Sequence, residues 1–273
     1  MKSEFSVLMS VYKKEEPKFL EESLHSVVNQ TRLPKEIILV EDGPLTNELY
    51  QTIESFSNMT NLIKRVRLIE NVGLGKALSE GVKYVTTNLI ARMDSDDISV
   101  KDRFEKQIEL FDNHSSLALV GGQIAEFQDN INNIVSYRTV PVTDKKIREF
   151  AKLRSPFNHP TVVMKKDILE VIGGYQSFPY LEDYHLWVRF LLKNNITVCN
   201  LSDTLLYMRV GSGLYNRRGG LNYLKKYVSL KRLFYSWKFI NLFEYASSVM
   251  FMGASTLSPN WLRKYLYTHI LRK

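Results

Sequence analysis

The sequence contains a single cysteine, Cys199, among its 273 residues. One cysteine cannot form a disulfide within the chain, and such a composition is typical of proteins from a reducing compartment. The chain also lacks the Gly-x-Ser-x-Gly motif of serine hydrolases and the Cys-x-x-Cys motif of zinc sites, and its five histidines do not have the spacing of metal ligands. These absences leave serine hydrolases and zinc enzymes without support.

Long apolar runs are absent as well. Met1 is followed within a few residues by a strand-like segment, without the apolar core or the small-residue cleavage site of a secretory signal. The longest uncharged stretch near the C-terminus, residues 245–261, contains Ser, Thr, Asn, Gly and Pro. It is too short and too polar to span a bilayer. We therefore expect a cytoplasmic protein without a transmembrane segment.

Acidic residues are nearly missing from the C-terminal quarter. Residues 207–273 hold twelve Lys and Arg but one acid, Glu244, a net charge of +11, whereas the rest of the chain has a net charge of −3 and the total is +8. Large apolar and aromatic side chains alternate with these basic residues. Two interpretations fit equally well: an amphipathic element that lies on an anionic membrane, or a helix that packs on the main domain and exposes a basic face. The chain is long enough for one large domain and an appendage.

The first 120 residues alternate between strand-like and helix-like segments. Because strand–helix–strand repeats build parallel sheets with right-handed crossovers, we predict an α/β fold with a doubly wound, mostly parallel, Rossmann-like sheet. Gly121-Gly122 and the asparagine-rich residues 130–133 predict that this regularity ends after residue 120. The predicted strands of the regular part are residues 5–12, 36–40 and 66–69 and the apolar stretch that ends at Asp94.

Three carboxylates follow the fourth predicted strand within four positions, at Asp94, Asp96 and Asp97. Ligands of parallel α/β sheets bind at the carboxyl ends of the strands. Carboxylates crowded there repel one another unless a cation lies among them, and Asp-x-Asp can hold Mg²⁺ or Mn²⁺ that also binds substrate phosphates. The alternative is an Asp that caps the next helix, which explains one acid but not three.

Two other predicted strands end in polar residues. Ser10-Val11-Tyr12 closes the first strand and Asp42-Gly43 follows the second, so all three strand ends are expected to face one crevice. Asp42 could accept hydrogen bonds from a base or ribose, or it could belong to an ordinary Asp-Gly turn. The segment Asn71-Val72-Gly73-Leu74-Gly75 resembles a glycine loop that opens a helix, but it lacks the full dinucleotide fingerprint.

A further acid lies at the start of a predicted helix in the second half of the chain. Leu186, Trp187, Phe190 and Leu191 recur at helical spacing and form one apolar stripe. Asp183 falls on this stripe, whereas Glu182 lies beside it and His185 points away. A helix N-terminus favours the ionised form of an acid. Asp183 is therefore either an acid at the mouth of a buried face or a first-turn cap.

In order and spacing, over roughly residues 4–210, these motifs resemble the inverting glycosyltransferases of family 2, of the bacterial surface-polysaccharide type, with the GT-A fold. The resemblance implies a nucleotide-sugar donor such as a UDP-sugar, Mg²⁺ or Mn²⁺ held by the Asp-x-Asp motif, and a catalytic base in the Glu-Asp pair. It implies a catalytic domain, residues 1–210, with a nucleotide-sugar half (1–120) and an acceptor half (121–210). Residues 211–273 would form a basic, aromatic-rich helical extension that could associate with a membrane.

The resemblance also implies roles for individual residues. Asp183 is expected to be the catalytic base, and Asp94 and Asp96 are expected to bind the metal. Glu182 and His159 are expected on the acceptor side, although a purely structural role fits His159 equally well. Arg209 or the pair Arg217-Arg218 could hold the pyrophosphate, because the planar guanidinium suits phosphate. The expected nucleotide-sugar contacts are Ser10, Val11, Tyr12, Asp42, Gly73, Asp94 and Arg209.

The chain departs from the family's processive synthases, because it has neither a Gln-x-x-Arg-Trp motif nor a membrane span. We therefore expect transfer of one sugar per encounter, to a saccharide acceptor that is lipid-linked, by an enzyme that lies peripherally on the inner face of the cell membrane and binds no nucleic acid. Two alternatives stay open. A sugar-phosphate nucleotidylyltransferase would need a glycine- and arginine-rich loop where this chain has Lys13-Lys14-Glu15-Glu16. A non-enzymatic basic module would bind membranes or nucleic acid without its acidic clusters.

Overall fold

The computed structural model describes residues 3–211 and 220–257, so Arg217 and Arg218 lie outside the described residues. The strands are β1 (Phe5–Val11), β2 (Glu36–Glu41), β3 (Ile63–Arg67), β4 (Leu89–Asp94), β5 (Ile98–Ser99), β6 (Leu117–Phe127), β7 (Ile134–Arg138), β8 (Val163–Lys165) and β9 (Thr197–Arg209). The helices are α1 (Pro17–Val28), α2 (Asn47–Met59), α3 (Leu74–Val82), α4 (Arg103–Asn113), α5 (Asp144–Ala151), α6 (Lys166–Val171), α7 (Glu182–Leu191), α8 (Leu221–Ser236) and α9 (Leu242–Leu257). A short 3₁₀ turn covers His159–Thr161.

The first half of the chain forms the predicted doubly wound sheet. Strands β3, β2, β1 and β4 lie side by side and are parallel. Successive side chains of a strand point to opposite faces. Val7 and Met9 therefore pack with α1, α2 and α4, whereas Leu8 packs with α3 and α7. Because helices cover both faces, the strands are buried on both sides and nearly continuously apolar.

Strand β3 begins three residues earlier than the sequence predicted, at Ile63 rather than Val66. It pairs with β2 from Ile37↔Ile63 to Glu41↔Arg67. The buried Glu41 carboxylate binds Arg65 Nε at 2.5 Å, and Ile69 is left 97% exposed. The position of β3 is therefore set by pairing with β2, and the local run of apolar residues predicted it wrongly.

Beyond β4 the sheet becomes mixed, as the break in regularity predicted. Its order continues from β4 through β8, β6 and β9 to β5, and β7 pairs with β6 on the side. Strands β4 and β8 are antiparallel, whereas β6 and β9 are parallel with several register shifts. One shift lies at Gly121, where a Cβ atom would come within 2.2 Å of Asn200 Oδ1. Glycine allows β9 to approach β6 this closely.

Helix α8 packs against α7. This part of the basic segment therefore packs on the main domain, which is the second of the two interpretations of the sequence. Tyr223, Tyr227, Leu230 and Phe234 of α8 are buried in one cluster with residues of α7. Within residues 3–211 and 220–257, no helix is both long and apolar enough to cross a bilayer. The division into domains at residue 210 stays a prediction.

Lys231 is fully buried between α8 and the rest of the protein. Its Nζ donates hydrogen bonds to the carbonyl oxygens of Lys152 at 2.6 Å and Leu153 at 3.2 Å, and to Tyr184 Oη at 2.8 Å. Burial lowers the pKa of Lys231 from 10.5 to about 7, although Glu244 opposes this shift. This side chain therefore links α8 to the end of α5 and to the residue after Asp183.

We expect the stability contribution of Lys231 to depend on pH. Between the two pKa values the unfolded chain binds more protons at this position than the folded protein, so the free energy of unfolding rises with pH. The slope is about 1.4 kcal/mol per pH unit. In urea unfolding, the free energy of unfolding of wild type should therefore rise by about 2 kcal/mol relative to that of Lys231→Met from pH 7 to pH 9. Lys225→Met, an exposed neighbour on α8, is the control and should not change the slope. Parallel pH profiles for all three proteins would contradict the assignment.

Candidate active site

The carboxyl ends of β1, β2 and β4 lie next to one another, as the sequence predicted. In the register of the sheet, Ser10 is paired with Asp94 and Val11 with Glu41. The backbone N–H of Asp42 donates to the carbonyl oxygen of Val11 at 2.8 Å. The polar residues that follow these strands therefore share one edge of the sheet.

The acidic cluster at this edge has the composition of a site for a divalent cation. One carboxylate oxygen from each of Asp94, Asp96 and Asp97 lies within 4.8 Å of the others. Asp97 is buried: its Oδ1 accepts a hydrogen bond from the backbone N–H of Arg209 at 3.0 Å, whereas its Oδ2 has no partner. An unsatisfied buried carboxylate oxygen beside two more carboxylates is what Mg²⁺ or Mn²⁺ would need.

The electrostatics of the cluster agree with this composition. Burial raises the pKa of Asp96 to about 7, and the nearby carboxylates of Asp94 and Glu15 add to the shift. Burial also raises the pKa of Asp97 well above its usual range, with Asp96 and Asp94 contributing repulsion. These carboxylates hold their negative charges unfavourably in the absence of a positive ion, which fits the proposed metal ligands.

Sequence reasoning missed Glu15, a fourth carboxylate at the cluster. Ser95 Oγ donates to Glu15 Oε2 at 2.5 Å, and burial raises the pKa of Glu15. Glu15 belongs to the loop after β1, whose residues Lys13-Lys14-Glu15-Glu16 do not have the composition of a phosphate loop. The available signal was its position, because an acid that closely follows β1 lies at the same sheet edge as the Asp cluster.

Sequence reasoning also missed Arg92, which is buried beneath the cluster on β4. Its Nη2 donates to Asp94 Oδ1, while Nε and Nη1 have no hydrogen-bond partner. On the opposite face of the strand, the buried Arg103 donates to the carbonyl oxygen of Arg92 at 2.8 Å. Two buried guanidinium groups therefore lie under the three aspartates and partly balance their charge.

Asp42 binds the loop that opens α3. Its Oδ1 accepts from the N–H of Val72 at 2.7 Å, and its Oδ2 accepts from the N–H of Gly73 at 3.1 Å and from Asn71 Nδ2 at 3.0 Å. Gly43 has a φ of +84°, and a Cβ there would lie 2.6 Å from the nitrogen of Asn71, so only glycine fits. The contact of Asp42 with a nucleotide base stays a prediction.

The Glu-Asp pair lies in the first turn of α7. Asp183 Oδ2 accepts a hydrogen bond from Ser155 Oγ at 3.5 Å. Glu182 lies over the first turn of α3, and its buried Oε2 has no hydrogen-bond partner. Burial raises the pKa of Glu182. His185 points away from the apolar stripe but is buried, because its ring lies 5.3 Å from Phe178 and 5.4 Å from Trp237 beyond α8.

Tyr175 is a buried residue on which both acidic groups act electrostatically. Burial raises its pKa, and the carboxylates of Asp183, Asp94 and Glu182 add to the shift, while Arg92 opposes it. Its Oη lies 3.0 Å from Nε2 of His159, whose ring packs on Trp187. Burial, assisted by Arg92, lowers the pKa of His159 and keeps it neutral. The acid cluster of β4 and the acid pair of α7 therefore both influence the charge state of Tyr175.

Arg209, at the end of β9, contacts the acidic cluster from the other side. Its Nε donates to the carbonyl oxygen of Asp96 at 3.2 Å, and its Nη2 binds Glu22 Oε2 at 2.5 Å. Its guanidinium lies 3.9 Å from the ring centroid of Phe19 and 4.6 Å from that of Phe127. The predicted contact of Arg209 with a pyrophosphate stays a prediction.

Residues 6–173 match the family model of glycosyl transferase family 2. The chain belongs to this family. Members of glycosyl transferase family 2 transfer sugars, so the predicted enzyme class is confirmed, as is the predicted GT-A-type fold. The matched region includes the strand ends, the acidic cluster and His159, and it ends before the Glu-Asp pair of α7.

Several named proteins are similar to this chain over nearly its whole length. The amylovoran biosynthesis glycosyltransferase AmsE of Erwinia amylovora is 38% identical over 263 residues, which is 96% of this chain and 97% of the relative. The UDP-Gal:alpha-D-GlcNAc-diphosphoundecaprenol beta-1,3-galactosyltransferase of Escherichia coli is 34% identical over 269 residues, or 98% and 97%. The mannosyltransferase PcManGT of Pyrobaculum calidifontis, solved with GDP-Man and Mn²⁺, has a similar fold with a TM-score of 0.64 and 14% identity, over 97% of this chain and 73% of that protein.

Proposed function

We propose that this family 2 glycosyltransferase transfers one sugar per encounter from a nucleotide-sugar, such as a UDP-sugar, to a saccharide hydroxyl with inversion. The observation that carries the proposal is the cluster of three aspartates at the carboxyl end of β4, whose carboxylate oxygens lie within 4.8 Å of one another. The cluster would bind the donor diphosphate through a metal, and the acid pair would serve the acceptor. Membership of the family argues against the nucleotidylyltransferase and the non-enzymatic alternatives.

Asp94 and Asp96 would hold Mg²⁺ or Mn²⁺, and the unpartnered Oδ2 of Asp97 is available to the same ion. Such an ion acts as a Lewis acid that offsets the charge on the nucleoside diphosphate leaving group. Arg92 and Arg209 would orient the aspartates, Arg92 through Asp94 and Arg209 through the backbone of Asp96. The Mn²⁺ bound to the similarly folded mannosyltransferase supports this assignment.

The remaining donor contacts would come from the ends of β1 and β2. The backbone of Ser10, Val11 and Tyr12 would line the nucleoside next to Asp94. Asp42 would contact the base while it holds the loop that carries Gly73. These positions are adjacent in the sheet register, which supports a single nucleotide site.

Asp183 would remove the proton of the attacking acceptor hydroxyl. Ser155 Oγ donates to Asp183 Oδ2 and would orient the carboxylate. Help from a general base is typically worth about 10² to 10⁴ in rate. Glu182 and the neutral His159, whose Nε2 lies 3.0 Å from Tyr175 Oη, would lie on the acceptor side. A single displacement by the hydroxyl inverts the anomeric centre.

We further propose a lipid-linked saccharide as the acceptor, in polysaccharide biosynthesis at the inner face of the cell membrane. The relative from Escherichia coli acts on a sugar linked to diphosphoundecaprenol, and AmsE acts in amylovoran biosynthesis. The basic residues 207–273 would attract the protein to an anionic membrane surface.

A donor panel tests the proposed reaction. UDP- and GDP-sugars are incubated with the protein and a lipid-linked saccharide, with Mn²⁺ or with chelator, and products are read by mass spectrometry. We expect one donor to give a product with a single added sugar, and only with Mn²⁺. Full activity in chelator would contradict the metal assignment, and long polymers would contradict transfer of single sugars.

A further inference from the structure

Helix α9 exposes a large apolar face. Phe243 is 81% exposed and Met250 is 70% exposed, and the exposed Ala246 and Ala254 lie between and beyond them at spacings of three and four residues. Leu242 and Phe251 flank this row and are also exposed. We call these six residues the outer face of α9. Contiguous apolar faces of this kind mark a surface that another apolar phase covers.

The one acid of α9 does not reach this face. Glu244 Oε1 binds Lys152 Nζ at 2.8 Å, and Oε2 accepts from the N–H of Asn241 at 2.8 Å. Asn241 Oδ1 accepts in turn from the N–H of Glu244, which completes a capping box at the start of the helix. The outer face therefore carries no charged side chain.

The rest of the protein lies on the opposite side of α9. Tyr245 and Met252 pack against the cluster that joins α8 to α7, and the rings of Tyr235 and Tyr245 are 6.0 Å apart. The outer face is thus the surface of the α8–α9 hairpin that lies away from the catalytic core.

The charges of the hairpin favour one kind of partner. Lys225, Arg232 and Lys238 of the hairpin are exposed. None of the three forms an ion pair with an acidic side chain among the described residues. Glu244, the one acid in the sequence of residues 207–273, forms an ion pair with Lys152. An apolar helix face in the same hairpin as exposed cations matches an interfacial element on an anionic bilayer, where acyl chains surround the apolar side chains and lipid phosphates bind the cations.

We propose that the outer face of α9 inserts into the boundary between headgroups and acyl chains of an anionic membrane. The proposal rests on the proposed function, because a lipid-linked acceptor lies in that membrane. The hairpin also adjoins the acid pair: Lys226 Nζ lies 4.4 Å from the ring centroid of Tyr180, two residues before Glu182. Docking through α9 would therefore attach the catalytic domain to the bilayer through the same hairpin that contacts the segment before the acid pair.

Vesicle sedimentation with the full chain tests the insertion. Wild type and the triple variant Phe243→Ser/Met250→Ser/Phe251→Ser are mixed with vesicles of phosphatidylglycerol and phosphatidylcholine, or of phosphatidylcholine alone. We expect wild type to bind the anionic vesicles and the triple variant to bind them at least tenfold more weakly. The matched control is Leu33→Ser/Met59→Ser/Val171→Ser, which removes exposed apolar side chains from other elements and should bind as wild type does.

A second variant tests the charges. Lys225→Gln/Arg232→Gln should weaken binding to anionic vesicles severalfold, and high salt should have little further effect on it. Transfer to a short water-soluble acceptor should be unchanged in both hairpin variants, because neither touches the proposed active site. If wild type binds vesicles but transfers no sugar, the proposed function fails while the docking proposal stands.

Three results would overturn the docking proposal. The first is equal binding of wild type and the Phe243 triple variant to anionic vesicles. The second is a lower melting temperature of that variant with no vesicle binding by either protein, which would mean that residues 258–273 cover the face. The third is a wild-type dimer in light scattering that the variant converts to a monomer, without vesicle binding, which would identify a second copy as the partner.

Discussion

Asp96→Ala is expected to abolish Mn²⁺-dependent sugar transfer and to leave the fold intact. Asp96 is one of three carboxylates whose oxygens lie within 4.8 Å, and partial burial together with the carboxylates of Asp94 and Glu15 disfavours its charge. Removing it takes away a metal ligand and relieves repulsion, so the melting temperature without metal should be equal to that of wild type or higher. Activity should fall at least 10³-fold, by about 4 kcal/mol of transition-state stabilisation.

Metal binding itself gives a readout that does not depend on activity. At a Mn²⁺ concentration 100 times the Kd, wild type should gain about 2.7 kcal/mol of stability, and Asp96→Ala should gain almost none. Asp102→Ala is the control, since Asp102 lies six residues further on and pairs at the surface with Lys106. It should keep both activity and the Mn²⁺-induced stabilisation. A variant at Asp96 that turns over at the wild-type rate in saturating Mn²⁺ would exclude it as a ligand.

Asp183→Asn should abolish transfer and leave the binding of UDP nearly unchanged. The proposed base contacts the acceptor hydroxyl and not the nucleotide, so kcat should fall about 10²- to 10⁴-fold while the Kd for UDP stays within twofold. Asparagine keeps the size of the side chain and can still bind Ser155 Oγ, which in wild type lies 3.5 Å from Asp183 Oδ2. Calorimetry with UDP and a radiolabelled transfer assay measure the two quantities.

Glu182→Gln is the decisive comparison, because the structure leaves Glu182 Oε2 buried and without a hydrogen-bond partner. The helical face on which Asp183 lies predicts that Glu182→Gln keeps a measurable rate. Should Glu182→Gln be inactive and Asp183→Asn active, the base would be Glu182 and not the acid on the apolar face of α7.

The active-site edge of the sheet could be predicted because its signals are local. Asp94, Asp96 and Asp97 follow an apolar strand directly, and the neighbouring polar strand ends lie within a regular strand–helix alternation. Parallel strands joined by right-handed crossovers bring their carboxyl ends together without further information. The order and spacing of these motifs also predicted the family.

Several features could not be read from neighbouring residues. Strand β3 lies where pairing with β2 and the bonds to Glu41 place it, and Ile69, although apolar, is exposed. The contact of Glu15 with Ser95 joins residues 80 positions apart, and Lys231 lies 47 positions from its partner Tyr184. Such contacts depend on how elements pack, which local periodicity does not encode.

The basic C-terminal segment shows most clearly what the sequence determines and what the tertiary structure determines. By itself the sequence determined that residues 207–273 are cationic and amphipathic, and that three acids close a buried strand near residue 94. Only the tertiary structure decided that the apolar side of α8 is occupied by α7 whereas the outer face of α9 is exposed. The physical reason is that periodicity specifies which residues share a helix face, while the partner of that face is chosen by shape and burial across the whole chain.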